Sequence, residues 1–170
     1  MAIYVKLWEI MVNMFKGIHN INLDTKGRLT IPTKYRSTIN DQSGGNMVVT
    51  IDPEEKCLLL YPVTIWVEIE KKINALPNIN KNARRIQRLL MGHAEDLEID
   101  KNGRILLSRP LRTVTEITKK IMLIGQGEKF EIWSEDTWNN RVNTWRSEET
   151  DESEESVLSD IRIYESRKIL

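Results

Sequence analysis

The sequence predicts a β-rich α+β fold made of two tandem half-domains with short flanking helices. Three observations carry that expectation. The stretch "LDTKGRLTIPTKYR" (23–36) returns as "IDKNGRILLSRPLR" (99–112) without a gap, at an offset of 76. The alignment pairs Asp24 with Asp100, Gly27 with Gly103, Arg28 with Arg104, Leu29 with Ile105, Ile31 with Leu107 and Arg36 with Arg112. Further on, "LYPVTIW" (60–66) matches "IWSEDTW" (132–138) at an offset of 72, so the second unit is four residues shorter in between. In both units, β-branched or leucine-rich runs alternate with turn residues, the pattern of hairpins within an internal repeat.

Taken in order, the elements follow from local chemistry. Met14 opens "MFKGIHNINLD", a natural start for the first strand, so residues 1–13 read as an N-terminal extension or the product of an upstream start. Ile21 and Leu23 lead into the first polar turn, Leu29 and Ile31 lead out, and Pro32 introduces a short helix over Thr33 to Ile39. "QSGGN" breaks the chain, after which "MVVTID" (47–52) and "CLLLYP" (57–62) flank Pro53-Glu54-Glu55-Lys56 as a hairpin. Ile65, Ile69, Ile73 and Leu76 have helical spacing, and Pro77 ends that helix.

A linking helix is expected over 81–91, capped by Asn80, with Gly92 placed for a left-handed exit. Ala83, Ile86, Leu89 and Leu90 form its inward stripe. Arg84, Arg85 and Arg88 lie mostly on the other side, either as a solvated face or as a phosphate-contacting one. The second half then repeats the first: strand, polar turn, strand, a short helix after Pro110 and the hairpin "KIMLIGQGEKFEIW". A last helix runs through Trp138, Val142 and Trp145. Beyond it, the acidic tail has too few apolar residues to fold alone and is expected to be disordered.

Composition narrows the function. The chain has 170 residues and one cysteine, Cys57, which allows no internal bridge and suits a reducing cytoplasm as a small buried hydrophobe. No apolar run reaches the roughly 18 residues of a membrane helix. Lys6 and Glu9 interrupt the apolar start, and no small-residue cleavage site follows it. Net charge is zero, but residues 147–160 hold seven acidic and no basic residues, while residues 1–146 carry 22 basic and 17 acidic ones. The body is therefore mildly basic and the tail acidic. With only His19 and His93, no Cys-x-x-Cys, no His-Glu-x-x-His and only Gly125-x-Gly127 as a glycine pair, nothing assembles into a catalytic or metal-binding constellation. His93, beside Gly92, reads as a capping or core histidine. Neither an enzyme, a cofactor, a metal nor a small-molecule substrate is expected.

The repeated turn has its own logic. Asp-x-x-Gly fits a type I turn whose aspartate accepts backbone N–H bonds two residues on, and glycine at the fourth place takes the positive φ of a bulged hairpin. Asp24, Gly27, Asp100 and Gly103 are therefore turn-forming. The arginine after each glycine begins the outgoing strand, with Lys26 or Lys101 on the turn beside it. Arg28 and Arg104 could pair with their own turn aspartates, reach a polyanion, or do both.

The stretches "MFKGIHNINLDTKGRLTIPTKYR", "CLLLYP", "ARRIQRLLMGHAEDLEIDKNGRILLSRPLR" and "KFEIWSEDTW" resemble the MraZ family of bacterial transcriptional regulators, whose halves are similar to the AbrB-type (SpoVT-AbrB) DNA-binding domain. The resemblance covers about residues 14 to 145, leaving the first thirteen residues and the tail after about Glu148 outside it. It implies a pseudo-twofold, swapped-hairpin β-barrel and a ring-like homo-oligomer. It also implies a cytoplasmic, nucleoid-associated repressor that binds double-stranded DNA at direct repeats upstream of its own division and cell-wall operon.

On this reading residues 1–13 are the extension, 14–76 the first AbrB-like repeat, 77–93 the linking helix, 94–146 the second repeat and 147–170 the tail. The family's Asp-x-x-x-Arg signature falls on Asp24 with Arg28 and on Asp100 with Arg104. The resemblance assigns DNA contact to the two arginines, with Lys26 and Lys101 beside them. In the second turn Asn102 occupies the place of Lys26, so the two halves are not expected to contribute equally. Apolar strand ends, with aromatics such as Tyr61 and Trp133, are expected at the subunit contact. A rival reading is an AbrB-like antitoxin that binds a toxin through its tail, although such proteins usually hold a single unit.

Overall fold

The structure is a computed structural model that describes residue 4 and residues 14–149 and 151–161. The body begins with β1 (Phe15–Asn22) and β2 (Arg28–Thr30), then α1 (Thr33–Ser43), the hairpin β3 (Asn46–Ile51) and β4 (Leu58–Pro62), and α2 (Val63–Asn74). The linking helix α3 (Lys81–Leu90) leads to the second copy: β5 (Glu95–Glu98), β6 (Arg104–Leu106), α4 (Arg109–Val114), and the hairpin β7 (Lys120–Gly127) and β8 (Phe130–Ser134). Helix α5 (Glu135–Ser147) follows, and α6 (Glu152–Asp160) lies in the tail. The chain is thus β-rich α+β with two matching units, as its sequence predicts.

Strand order shows how the units combine. Six antiparallel strands run β1-β7-β8-β4-β3-β5, a palindrome in repeat terms. The first strand of repeat one pairs with the hairpin of repeat two over eight positions, Phe15↔Gly127 to Asn22↔Lys120. Reciprocally, β5 pairs with β3 of repeat one, and the hairpins meet along β4–β8. Neither repeat completes its own sheet. The ladder stops at β1 and β5, so the sheet does not close into the expected barrel. Instead, β2 and β6 pair only with each other in a separate two-stranded ribbon.

Alternation along the central strands fills two cores. Met47, Val49, Ile51, Leu58, Leu60, Ile121, Leu123, Phe130 and Ile132 point to one face and join Leu29, Ile31, Ile105, Leu107 and Leu111. Val48, Cys57, Leu59, Tyr61 and Trp133 point to the other, where Trp66 and Ile73 of α2 cover them. Two-sided burial explains why these strands read as continuous apolar runs. It also corrects one expectation. Tyr61 is 9% exposed and packs on Trp66, while Trp133 is 1% exposed and meets Trp138, so neither offers a free aromatic surface.

Other details differ for identifiable reasons. Helix α1 continues past Ile39 to Ser43 and ends at Gly44 with φ 62, the left-handed exit that glycine tolerates. Gly92 is not such an exit: α3 leaves through Met91 in a right-handed conformation, and a Cβ on Gly92 would stand 2.3 Å from Arg88 O. The last carbonyls of α3 are satisfied by the Thr50 hydroxyl, which donates to Leu90 O at 2.6 Å, and by Gly92 N donating to Arg88 O. At its other end the Asn80 cap forms as predicted, accepting from Asn82 N and Ala83 N. The tail, expected to be structureless, holds α6. Asp151 caps it by accepting from Glu154 N, and Glu152, Glu154 and Glu155 complement the positive end of its dipole. The expected extension over residues 1–13 falls, apart from residue 4, outside the described residues.

Candidate nucleic-acid interface

Both polar turns close in the same way. Asp24 Oδ1 accepts from Lys26 N and Arg28 N, each at 2.9 Å, and Gly27 N donates to Asp24 O at 3.0 Å. Asp100 Oδ1 accepts from Asn102 N at 2.8 Å and Arg104 N at 2.9 Å, and Gly103 N donates to Asp100 O at 2.9 Å. Gly27 and Gly103 hold φ values of 83° and 76°. The substitution of Asn102 for lysine leaves this backbone pattern intact, because only its N–H is used.

Each arginine also pairs with its own turn aspartate through Nε: Arg28 to Asp24 Oδ2 at 2.6 Å, and Arg104 to Asp100 Oδ2 at 2.9 Å. The side chains remain 30% and 28% exposed. The Nε of each guanidinium is thereby engaged, and its Nη groups make no hydrogen bond to another described residue, which leaves them available to a further acceptor. The ion-pair reading of the sequence is realised, and it leaves the arginines able to bind an anion. Lys26 and Lys101 are exposed on the turns beside them.

The ribbon joins the turns. Arg28 lies opposite Leu106, Leu29 opposite Ile105 and Thr30 opposite Arg104, so the two arginines stand at diagonal ends. Leu29 and Ile105 are buried beneath and anchor the ribbon to the first core. Beyond its ends, Ile31 N donates to Gly103 O at 2.8 Å and Leu107 N to Gly27 O at 3.0 Å. Each turn is therefore tied to the strand exit of the other repeat.

Two residues that the sequence reading aligned but gave no role complete the arrangement. Arg36 Nε donates to Ile31 O at 2.9 Å, and Arg112 Nε to Leu107 O at 3.0 Å. These bonds lay each guanidinium against the opposite repeat's turn. A Cβ built on Gly103 would meet Arg36 Nε at 2.2 Å, and one on Gly27 would meet Arg112 Cζ at 2.9 Å. Neither Arg36 nor Arg112 has a carboxylate partner among the described residues. The available signal was a basic residue eight positions after the turn arginine in both copies, but only the swapped pairing shows that it crosses.

Gly103→Ala is accordingly expected to destabilise the protein more than Gly27→Ala. Both force a side chain into a left-handed backbone, at about 1–2 kcal/mol. At Gly103 the new methyl must also displace Arg36 from Ile31 O. Urea midpoints measured side by side check this, and the reverse order would refute it.

Both turn carboxyls are held below their ordinary value. Backbone donation from Arg28 is the largest cause that lowers Asp24 to about 2, with its guanidinium and the Lys26 N–H adding to it. Asp100 is lowered in the same way, first by the Arg104 N–H. A carboxyl depressed on folding contributes stability above its unfolded value, and that contribution is lost as pH falls through the folded value. The Asp24 turn is therefore expected to hold its order down to about pH 4 and to lose it progressively toward pH 2, and the Asp100 turn to weaken in the same direction as pH falls. Carboxyl chemical shifts of Asp24 and Asp100 followed by NMR check this, and titration of either group near its ordinary value would refute it.

The other basic candidates are placed differently. Arg84 Nη1 donates to Asn78 O of the linker at 2.9 Å, and Arg85 Nη2 donates to Pro53 O in the β3–β4 loop at 3.3 Å, so both serve nearby backbone. His93 Nδ1 lies 2.9 Å from Leu89 O, a helix-end partner as expected. His19 Nε2 lies 3.0 Å from the Tyr35 hydroxyl, and burial followed by the nearby Lys34 charge lowers its pKa. Burial raises the Cys57 thiol well above its ordinary value. No group of three or more histidine, cysteine, aspartate or glutamate side chains among the described residues could hold a metal ion. No helix among them is long and apolar enough to cross a membrane.

Comparison with known proteins gives a consistent result. The profile of a family described as MraZ protein, antitoxin-like, matches residues 14–89 and again residues 90–160. The second match extends beyond Glu148, so the family likeness includes α6. A protein named Transcriptional regulator MraZ from Legionella pneumophila (strain Corby) is 51% identical over 136 residues, 80% of this chain and 90% of its own length. Its namesake in Idiomarina loihiensis is 53% identical over 129 residues, 76% of this chain and 85% of its own. Another, from Thioalkalivibrio sulfidiphilus, is 45% identical over 145 residues, 85% of this chain and 96% of its own.

Proposed function

The chain belongs to the MraZ family, and on that premise we propose that it binds DNA sequence-specifically as a repressor, at direct repeats upstream of its own division and cell-wall operon. At the coarser level it is a regulator of transcription and not an enzyme. One observation carries the finer reading. Two similarly built turns stand at the ends of one ribbon, each presenting an aspartate-fixed arginine with a second arginine from the other repeat behind it that has no carboxylate partner among the described residues. Carboxylates hold Arg28 and Arg104 in orientation, while Arg36 and Arg112 keep the local balance positive. A polyanion with repeated features is the ligand this suits. Lys26 and Lys101 add cations at the flanks.

Several copies of such a ribbon on successive repeats would gain by avidity, so a cyclic homo-oligomer accompanies this reading. The experiment is a gel shift with the DNA upstream of the chain's own gene and a scrambled competitor, with light scattering of the same sample. Retarded complexes that resist competitor, formed by a species larger than a 20 kDa monomer, are the expected result. Equal competition by scrambled DNA would overturn sequence specificity, and a monomer at micromolar concentration would overturn the oligomer.

The family description as antitoxin-like favours a second reading, in which the acidic tail engages a toxin. Co-purification of a stoichiometric protein partner lost on truncation at Glu148 would support it.

A further inference from the structure

We propose that the exposed face of the β2–β6 ribbon enters the major groove and that Leu106 on it reads the 5-methyl group of a thymine. This rests on the DNA-binding reading above. In a strand, alternate side chains point to opposite faces. Because Leu29 and Ile105 are buried at 0% and 1% exposure, their neighbours Arg28, Thr30, Arg104 and Leu106 share the outer face.

On that face Leu106 is 51% exposed and lies directly opposite Arg28. Directly opposed side chains on one face are about 5 Å apart at Cβ. A two-stranded ribbon fits the major groove, where thymine alone presents a methyl group and guanine presents two acceptors to an arginine fork. Arg28 has its Nε held by Asp24 while its Nη groups make no hydrogen bond to another described residue, so the pair Arg28–Leu106 offers a double donor beside an apolar contact. The charge that draws this surface toward DNA is present at both ends, since Arg36 and Arg112 lack carboxylate partners among the described residues.

The repeat alignment shows why the effect is one-sided. Leu106 is the counterpart of Thr30, which lies opposite Arg104. Thr30 carries a smaller methyl and a hydroxyl, a surface that tolerates more than one base. Between the outward positions of one strand the rise is about 7 Å, close to two base-pair steps of about 3.4 Å. The two arginine ends therefore address base pairs about two steps apart, and the Leu106 end carries the thymine preference.

The test measures equilibrium binding of the full-length chain to duplexes of its upstream DNA in which each thymine is replaced singly by deoxyuridine. Loss of one buried methyl corresponds to about a fourfold weakening. Wild-type protein is expected to lose about that much at one thymine per repeat. Leu106→Ala is expected to bind the native duplex more weakly by a similar factor and to be indifferent to uracil at that thymine. Since Leu106 is an exposed side chain, circular dichroism should match wild type. Specific wild-type binding that ignores every uracil, or uracil and Leu106→Ala losses that simply add, would overturn the inference and leave the DNA-binding reading standing. An equal loss by Leu106→Ala on scrambled DNA would also overturn it. Absence of wild-type binding to any duplex would overturn both.

Discussion

Arg28→Ala is expected to lose detectable binding to the upstream repeats while keeping its fold and oligomeric state. An arginine fork on a base edge contributes about 1–3 kcal/mol of discrimination. Several subunits engaging successive repeats multiply that loss through avidity. The backbone bonds that build the turn come from Lys26 N, Gly27 N and Arg28 N and survive the change, so the loop should persist. Salt dependence distinguishes the contact: loss of a phosphate contact weakens all sequences alike and flattens the salt slope by about one unit, whereas loss of base readout relaxes preference at one position. Arg104→Ala should be milder, because Asn102 stands where the first turn has Lys26. Wild-type affinity in the double variant, measured at two salt concentrations, would show that both turns are only structural. The interface would then have to be sought elsewhere, beginning with Arg84, Arg85 and Arg88.

Phe130→Ala is expected to be the most destabilising of the substitutions considered, at about 3–5 kcal/mol. Phe130 is fully buried on β8, with its ring centroid 4.2 Å from that of Phe15 and 4.9 Å from that of Tyr35. Those partners come from β1 and α1 of the other repeat, so truncation opens a cavity where the two units interlock. The Tyr35 hydroxyl, which donates to Lys16 O beside His19, would lose the ring that positions it. Thermal denaturation should show a fall of about 10 °C or more. A loss below about 1 kcal/mol would mean that the repeats are held together elsewhere.

Much of the fold was legible because its causes are local. Asp24 and Asp100 reach N–H groups within four residues, Asn80 reaches Asn82 and Ala83, and Pro77 follows a helix whose apolar spacing is plain. Arg28's choice between its own aspartate and an outside anion could not be decided from spacing, since both partners lie within reach of one flexible side chain. The structure shows the first while leaving the second open chemically. Helix α6 is not legible in the acidic composition of the tail, because its start depends on one local contact, Asp151 accepting from Glu154 N.

By itself the sequence determined the two turns, the two hairpins, the linking helix and, through its repeat, the equivalence of the halves. Tertiary structure alone decided that Tyr61 and Trp133 face a second core, that the sheet stays open, and that Arg36 and Arg112, each bonded to a carbonyl of its own repeat, pack against the turn of the other. The physical reason is the identity of the copies. Two units with the same apolar alternation offer β1 an equally patterned partner in β3 or in β7, and a period of two records which face is buried but not which strand lies alongside. That choice rests on contacts between residues about a hundred positions apart, such as Phe15 against Phe130, which no local pattern records.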